Sequence, residues 1–475
     1  MKSRPLLLTF SLLAFVPLPG SAAEVPSSFA RQSPSATDAS LNQWWLNFND
    51  PQLNTLINDA LAGNPSLISA TARVREARAR RLAAAGDFWP QLSTHGSAGR
   101  SLISENGPQS FGNSTSPHNL FDLALDASWE IDVFGQTRQT VAAAAAQAQA
   151  TEEARHNVMI SLLAEITSNY VDLRGLQAQL SVLQDNLTSQ LQTVELTQSR
   201  LKAGLSPELV VAQAEAQRAG TKAALPLVES AIASAIHRLG SLTGKPAGTY
   251  IKALESFRPI PTGPASVPAG LPSELLQRRP DVRQAERTFA AATSQVGAAR
   301  AARLPKFSIG GNVALQSTET HNLLERESEA WTVGPKISIP LFTGGKLKQN
   351  QVAAEAVRDQ AQAAWDASIL GAIEDVETSL VTYRQSQVRL TALREAEKAS
   401  SRSYELANEL YKNGLGDFLN VLEAQRTKLL AQEQVALSQR QHSLNLIRLY
   451  KALGGGWEET PAATTTPRPA SKSGK

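Results

Sequence analysis

The chain has 475 residues, with 46 basic and 43 acidic side chains and a formal charge of +3. Such a balance shows no sign of the basic surface that binds nucleic acid. The chain contains no cysteine, which excludes disulfides, zinc-thiolate sites and thiol nucleophiles. Aromatic residues make up only 5% of the sequence, a composition that suits long, thin helices better than a thick globular core.

The N-terminus predicts a secretory signal peptide over residues 1–23. Lys2 and Arg4 precede an apolar run, and small residues follow at Ala22 and Ala23. The run is too short to cross a bilayer as a helix, and no later stretch reaches about 20 consecutive apolar residues. We therefore expect that any entry into a membrane uses β-strands.

Short strands are predicted from segments in which apolar and polar residues alternate. The alternating segments are residues 91–100, 123–133, 306–316 and 331–341, of which the first alternates poorly. In the second segment the polar positions include Asp126, Glu130 and Asp132. A period of two gives a sheet one apolar and one polar face. A half-buried soluble sheet has the same alternation, but the export signal and flanking aromatic residues favour a membrane barrel.

A helical pattern spans residues 136–203 without a proline, and a second one spans residues 346–413. At 1.5 Å per residue, each predicts a rod of roughly 100 Å, longer than a compact domain needs. Leucines at spacings of three and four from Leu173 to Leu201 fit either a coiled-coil seam or an ordinary helix bundle.

Each rod is followed by a return helix, which begins near Pro207 in one case and near Asp417 in the other. Pro207 suits a first helical turn, and Asp417 can cap its helix or lie in the first turn. Gly204 and Gly414 stand where the rods must reverse, a position that favours a left-handed residue. Pro226, inside the first return helix, is expected to kink or locally unwind it.

The chain therefore repeats itself, with a period of about 210 residues. In each half the predicted elements follow in the order helix, strand, strand, long helix, hairpin, long helix. Matching landmarks in the two halves are Pro65 and Pro280, Phe134 and Phe342, and Gly204 and Gly414.

Four strands cannot close a barrel, because the smallest bacterial barrels need about eight and an open edge in lipid leaves backbone groups unsatisfied. We therefore expect a homotrimer with a barrel of about twelve strands, a lumen lined by Asp126, Glu130 and Asp132, and a coaxial tube of long helices. The predicted fold class is mainly α with a membrane β-barrel and an internal two-fold repeat.

Residues 271–286 resemble the inter-repeat signature of the outer membrane factor family, and residues 334–345 and 422–426 resemble further family segments. The resemblance covers the chain from about Trp44 to Gly454. It is closest to the drug-efflux branch represented by OprM and NodT, rather than to the protein-secreting TolC branch.

The resemblance implies a homotrimeric duct in the bacterial outer membrane, with a long periplasmic α-helical barrel and an equatorial collar. The collar would contain the N-terminal segment, residues 245–272 and the C-terminal tail. The implied partners are a periplasmic adaptor, an inner membrane pump of the RND class or a similar one, and outer membrane lipids. The implied function is passive export of small toxic compounds or antibiotics within a tripartite efflux pump.

The expected domain organisation is a signal peptide followed by two repeats and a flexible tail. The first repeat, with the N-terminal equatorial segment and the linker, spans residues 24–270, the second spans residues 271–456, and the tail spans residues 457–475. Many members of this branch are lipoproteins whose cleavage box ends in cysteine. Here Ser21 stands at that position, and serine offers no thiol for a thioether-linked lipid.

Leu419, Glu423 and Arg426 follow one another at spacings of four and three, on one face of a helix. By resemblance, Leu419 and Glu423 match positions that ring the closed periplasmic aperture, although the family uses aspartate at the acidic position. Three leucines would form a dry constriction there, and three carboxylates an electronegative one. The alternative is a plain helix pair with a surface contact between Glu423 and Arg426.

The hairpin tips carry apolar residues at Leu205 and Leu415, next to Gly204 and Gly414. Six such tips in a trimer would point into the periplasm, which favours docking of the adaptor. The alternative is that each leucine only caps its own helix pair.

No pattern in the sequence predicts an enzyme, a cofactor or a metal site. The six histidines lack metal-ligand spacing, and residues 240–245 fall short of a phosphate-binding loop and predict a helix end. Arg278 and Arg279 fit either a basic ligand site or a capped, solvated helix start. Two other functions stay open: a protein-secretion duct of the same fold, as in type I secretion, and a structural periplasmic coiled-coil protein.

Overall fold

The computed structural model of the protein describes residues 41–102, 116–264, 267 and 277–457. The predicted signal peptide, Ser21, residues 271–276 and the tail after Trp457 lie outside the described residues. The first half contains α1 (Pro51–Gly63), α2 (Pro65–Ala85), β1 (Gln91–Ser101), β2 (His118–Ile131), α3 (Gln136–Lys202) and α4 (Glu208–Leu242). A short helix, α5 (Ile251–Leu254), precedes the second half, which contains α6 (Pro280–Ala301), β3 (Lys306–Ser317), β4 (Glu329–Ser338), α7 (Lys346–Lys412) and α8 (Phe418–Ala452).

The two halves have the same plan, which confirms the internal repeat. Helices α3 and α7 each have 67 residues, and α4 and α8 each have 35. Each long helix follows a glycine in the left-handed conformation, with φ 81° at Gly135 and φ 82° at Gly345. The helices end at Lys202 and Lys412, within about one residue of the ends predicted from the sequence.

Both hairpins reverse through the same type of turn. Gly204 has φ 69° and Gly414 has φ 73°, a conformation that strains any residue with a Cβ. The N–H of Leu205 donates to the carbonyl of Arg200 at 2.8 Å, and the equivalent bond in the second hairpin has the same length. This bond pattern is that of a Schellman motif, and it explains why glycine occupies both reversal points.

The return helices begin close to the predicted positions. Asp417 caps α8, because its carboxylate accepts a hydrogen bond from the N–H of Leu419 at 3.4 Å. Pro207 takes the capping position itself, and α4 begins one residue later at Glu208. Helix α4 continues through Pro226, so of the two effects expected there the local unwinding is absent, and the kink stays a prediction. A proline removes a single N–H donor, and the hydrogen bonds on both sides keep this long helix continuous.

The four strands form one antiparallel sheet in the order β1, β2, β3, β4. Its register places His95 opposite Ala124 and Asp126 opposite Asn312. Strand β1 pairs with β2 along its whole length, although it alternates poorly in sequence. Within the part of the chain that the structure describes, strands β1 and β4 each pair on one side only, so this sheet has two open edges.

The largest buried cluster surrounds the middle of α3, where the N-terminal part of the chain meets the end of α8. Trp44 stacks on Tyr450 with ring centres 5.1 Å apart. The hydroxyl of Tyr170 donates to Asp50 at 2.5 Å, and burial raises the pKa of this phenol. Arg174 is fully buried and donates to backbone carbonyls of the stretch after α4. The N-terminal segment and that stretch therefore pack against the same part of α3.

The leucine pattern of α3 is only partly buried. Leu173 and Leu183 are buried, whereas Leu191 is exposed. Polar side chains occupy buried positions between them, and the amide of Asn186 donates to Gln432 of α8 at 2.8 Å. Helix α3 thus packs through a mixed polar and apolar interface rather than along one leucine seam. In the ranges that the structure describes, none of the helices combines the length and the apolarity needed to cross a membrane.

Candidate functional site

One face of the sheet carries a connected set of charged side chains. His95 of β1 lies between two aspartates of β2, with Nε2 3.2 Å from Asp122 and Nδ1 2.8 Å from Asp126. Further along β2, Glu130 lies 3.4 Å from the ammonium group of Lys306 on β3. Residues that pair across strands share a face, so both groups lie on the same side. Sequence reasoning identified Asp126 and Glu130 but missed His95, because the pairing register alone brings it to them.

The opposite face of the sheet is apolar. Five of its large side chains are 38% to 72% exposed in the single chain, namely Leu92, Leu125, Trp129, Val313 and Trp331. A continuous exposed apolar surface of this kind needs a lipid or protein environment to cover it.

Asp132 occupies a different place from the one that the alternation predicts. Strand β2 ends at Ile131, and the Asp132 carboxylate accepts hydrogen bonds from the backbone N–H groups of Thr137 at 3.1 Å and Arg138 at 2.9 Å. These donors have no partner within the first turn of α3, and the capping residue Gly135 has no side chain to satisfy them. Asp132 therefore ties the strand to the helix, and its side chain is only 11% exposed.

Leu419, Glu423 and Arg426 lie together on an exposed face of α8, with Leu419 58% exposed. The opposite face of the helix is buried through Val421 and Leu422. Because this buried face packs against α3 and α7, the orientation of α8 directs the predicted gate residues away from the chain's own interior.

The alternative contact between Glu423 and Arg426 does not form. Arg426 instead donates from Nε to Oε1 of Gln217 on α4 at 3.0 Å. Among the described residues, the Glu423 carboxylate has no ion-pair partner. The Arg426 bond joins the second hairpin to the first, and sequence reasoning missed Gln217 because nothing local marks it.

The predicted tip residues are the exposed ends of the two hairpins. Leu205 is 68% exposed and Leu415 is 76% exposed. A leucine that capped its own helix pair would be covered by that pair. Both side chains, each next to its turn glycine, are instead open to contact with another molecule.

Residues 240–245 end a helix, as the sequence predicts. Helix α4 stops at Leu242, and Nζ of Lys245 lies 2.7 Å from a carboxylate oxygen of Asp59. The hydrogen bond from Lys245 lowers the pKa of Asp59. In the part of the chain that the structure describes, no group of three or more His, Cys, Asp or Glu residues could hold a metal ion.

Arg279 is buried at the start of α6, so the expectation of a solvated helix start is wrong. Its guanidinium donates to Asp281 at 2.5 Å, to Asp375 at 3.0 Å and to the carbonyl of Ala452 at 3.1 Å. Burial by itself would lower the pKa of Arg279, but the two carboxylates raise it. Arg279 thereby joins the start of α6 to α7 and to the end of α8.

The duplicated helices and the four-stranded sheet agree with a known family model. The model described as "outer membrane efflux protein" matches residues 56–245 and 271–455, one segment in each repeat. The chain belongs to the outer membrane efflux protein family. It is therefore an outer membrane channel component of a tripartite efflux pump, with its helical part in the periplasm.

Individual relatives cover nearly the whole chain. Nodulation protein T of Rhizobium leguminosarum bv. viciae is 30% identical over 98% of this chain and 95% of its own. The toluene efflux pump outer membrane protein TtgI of Pseudomonas putida is 32% identical over 86% of each. The solved outer-membrane channel OprN has a TM-score of 0.86 and 32% identity, covering 92% of this chain and 99% of its own. These findings confirm the predicted fold class and exclude the structural coiled-coil alternative.

Proposed function

We propose that three copies of this chain form a passive duct that carries small toxic compounds across the outer membrane. The sheet carries this proposal, because its apolar face is exposed and both of its edges are unpaired within one chain. In lipid, each unpaired backbone group costs several kcal/mol. Joining β4 of one copy to β1 of the next satisfies the edges, and three copies give about twelve strands, within the range of bacterial barrels.

In such a trimer the polar face of each sheet lines the lumen. Asp126 and Glu130 would face water together with His95 and Lys306, while the apolar face contacts lipid acyl chains. Asp132 would stand at the lower rim of the barrel, where its hydrogen bonds with the start of α3 fix the angle at which strand becomes helix.

We propose that Leu419, Glu423 and Arg426 form the periplasmic gate. Exposure of Leu419 on the face opposite the buried Val421 supports this role, since three such leucines can meet on a three-fold axis and exclude water. The three Glu423 carboxylates would repel one another and attract cations. The bond from Arg426 to Gln217 resists separation of the two hairpins.

We propose that a periplasmic adaptor docks on the hairpin tips at Gly204, Leu205, Gly414 and Leu415, and that an inner membrane pump, of the RND class or similar, supplies the energy. The exposure of both leucines supports this role, because docking would bury six apolar side chains per trimer. TtgI is named as part of a toluene efflux pump, and small apolar toxic compounds are the cargo class that we propose here.

We divide the chain into the two repeats of residues 24–270 and 271–456, after a signal peptide of residues 1–23 and before a C-terminal tail of residues 457–475. The matched lengths of the long helices support this division. A duct of this kind needs no catalytic residue and no cofactor, because the pump drives transport.

Two measurements test the proposal, namely the mass of the particle in detergent and the export of toxic compounds from cells. In detergent, light scattering should give the mass of a trimer, and a stable water-soluble monomer would contradict the proposal. In cells that lack their own channel but keep an adaptor and a pump, the chain should restore resistance to small apolar toxicants. Leu415→Ser should reduce that resistance without changing the trimer mass. Leu227→Ser is the matched control, because Leu227 is 74% exposed on α4, far from the tips.

A further inference from the structure

Two cavities of similar size lie beside the starts of α2 and α6, at partly matching places in the two repeats, and they share Asn157 and Ser161 of α3 as lining residues. The first has a volume of about 420 Å³ and lies between α3, the start of α2 and the end of α4. The second has a volume of about 440 Å³ and lies between α3, α7, the start of α6 and the end of α8. Matching residues that line the two cavities are Pro65 and Pro280, Glu165 and Asp375, Arg238 and Arg448, and Ser241 and Lys451.

The charges in the first cavity neutralise each other. Arg238 at the end of α4 forms an ion pair with Glu165 of α3. The start of α2 is capped by the side chain of Asn64, which accepts a hydrogen bond from the N–H of Ser66 at 2.9 Å. Ser241 adds no charge. In this cavity the single cation is therefore paired with the single carboxylate, and no cation is in excess.

In the second cavity the equivalent carboxylate has a different partner. Asp375 accepts its hydrogen bond from Arg279 at 3.0 Å, and Arg279 also binds Asp281. The first repeat has no such arginine, because Asn64 stands at the position that Arg279 occupies in the second. Arg279 thus takes the carboxylate that would otherwise face Arg448.

The lining holds three cations and two carboxylates, Asp281 and Asp375, and therefore carries one excess positive charge. Arg448 and Lys451 are the two cations that stand outside the cluster around Arg279. Both are exposed, and among the described residues neither head group has a hydrogen-bond or ion-pair partner. Asp172 lies close enough for Arg448 to counter the rise in its pKa that burial causes, but Asp172 is paired with Arg440 at 3.5 Å. Asp172 is not one of the residues that line the cavity.

The other walls of the second cavity suit an anion with oxygen atoms. Asn157, Ser161 and Ser379 supply an amide and two hydroxyl groups. The 22-residue helix α6 begins at the cavity with Pro280, which adds the positive end of a helix dipole. The volume lies in the range of about 300–1,000 Å³ that is typical of small-molecule sites.

We propose that the cavity of the second repeat binds a small anion carrying phosphate or carboxylate groups, held by Arg448 and Lys451. Guanidinium and ammonium groups are the side chains that bind such oxygens most strongly. The anion supplies to Arg448 the negative charge that Glu165 supplies to Arg238 in the first repeat. It therefore stabilises the junction between the start of α6 and the end of α8.

Isothermal titration of the detergent-solubilised trimer tests this proposal without any transport assay. Pyrophosphate is the phosphate probe and citrate is the carboxylate probe. The probe that binds with the higher affinity shows whether the cavity prefers phosphate or carboxylate groups. We expect one anion per chain and weaker binding at higher salt. Arg448→Gln and Lys451→Ser should each weaken binding at least about tenfold, and Lys451→Ser copies the residue of the first repeat. Arg238→Gln is the matched control and should leave the affinity unchanged.

Two outcomes would overturn the proposal, provided that the variants remain trimeric by light scattering. The first is that neither probe binds the parent, and the second is that the Arg448 and Arg238 variants bind equally well.

Discussion

Arg200 of α3 and Tyr411 of α7 join the two hairpins close to their tips. Nη1 of Arg200 donates to the backbone carbonyl of Tyr411 at 2.8 Å, and the guanidinium lies 4.7 Å from the centre of the Tyr411 ring. The ring is buried against Phe418 of α8. The equivalent residues in the opposite hairpins are Leu410 and Leu201, so the repeat does not supply a second copy of this contact.

Removing this link should make the closed state leakier. Arg200→Gln loses the charged donor and the contact with the ring, and a hydrogen bond from a charged group contributes about 1.5–3 kcal/mol. We expect higher resting conductance in planar bilayers and faster hydrogen exchange at the hairpin tips. Arg402→Gln is the control, because the ion pair of Arg402 with Glu405 is exposed and such pairs contribute little. Equal conductance of the two variants would contradict the prediction.

The proposed gate predicts separate effects for its apolar and acidic residues. Leu419→Ala should raise resting conductance, because it removes the methyl groups that would exclude water. Glu423→Gln should chiefly reduce cation selectivity, because it removes the charge and keeps the size. Leu430→Ala, another exposed leucine on α8, is the control. If both gate variants conduct like the parent while remaining trimeric, the constriction lies elsewhere, and Val210 and Gln213 of the first hairpin become the next candidates.

The absence of native cysteine allows the faces of the sheet to be mapped by thiol labelling. Asp126→Cys and Glu130→Cys should react with water-soluble thiol reagents in outer membranes, because both positions lie on the polar face. Trp129→Cys and Ile131→Cys should be shielded, because these positions contact lipid. Equal labelling at the two sets of positions would show that the faces are misassigned.

His442 predicts a loss of stability in mild acid. Its ring stacks on Tyr383 with centres 4.7 Å apart, and Nδ1 lies 2.8 Å from the hydroxyl of Ser386. Burial lowers the pKa of His442, and the nearby charge of Arg394 lowers it further. The unfolded chain, with a histidine pKa of about 6.5, therefore takes up the proton first. Stability is complete above that pH and is lost as the pH falls through the lowered pKa.

Thermal dissociation of the trimer between about pH 7 and pH 5 measures this effect. The parent should lose stability as the pH falls, and His442→Gln should show a smaller loss over the same interval. His321→Gln removes a histidine on a surface turn and should lose as much stability as the parent over the same pH interval. If the dissociation temperature falls equally with pH in all three proteins, His442 is not the titrating group.

The sequence by itself determined the features that depend on near neighbours. The two-residue period of β2 placed Asp126 and Glu130 on one face, and the helical period placed Leu419 and Glu423 on one side of α8. The reversal at Gly204 followed from the left-handed conformation that ends a helix. These features are local, because backbone geometry alone relates residues a few positions apart.

Only the tertiary structure decided which of these surfaces meet. Strand register brought His95 between two aspartates, and the end of β2 turned Asp132 into a helix cap. Helix packing paired Arg426 with Gln217 and Arg200 with Tyr411, and it buried Arg279 among carboxylates. Each contact joins separate secondary-structure elements, most of them far apart in the sequence, and its geometry depends on how whole helices and strands are placed. No local pattern encodes that placement, because it results from the summed packing of the entire chain.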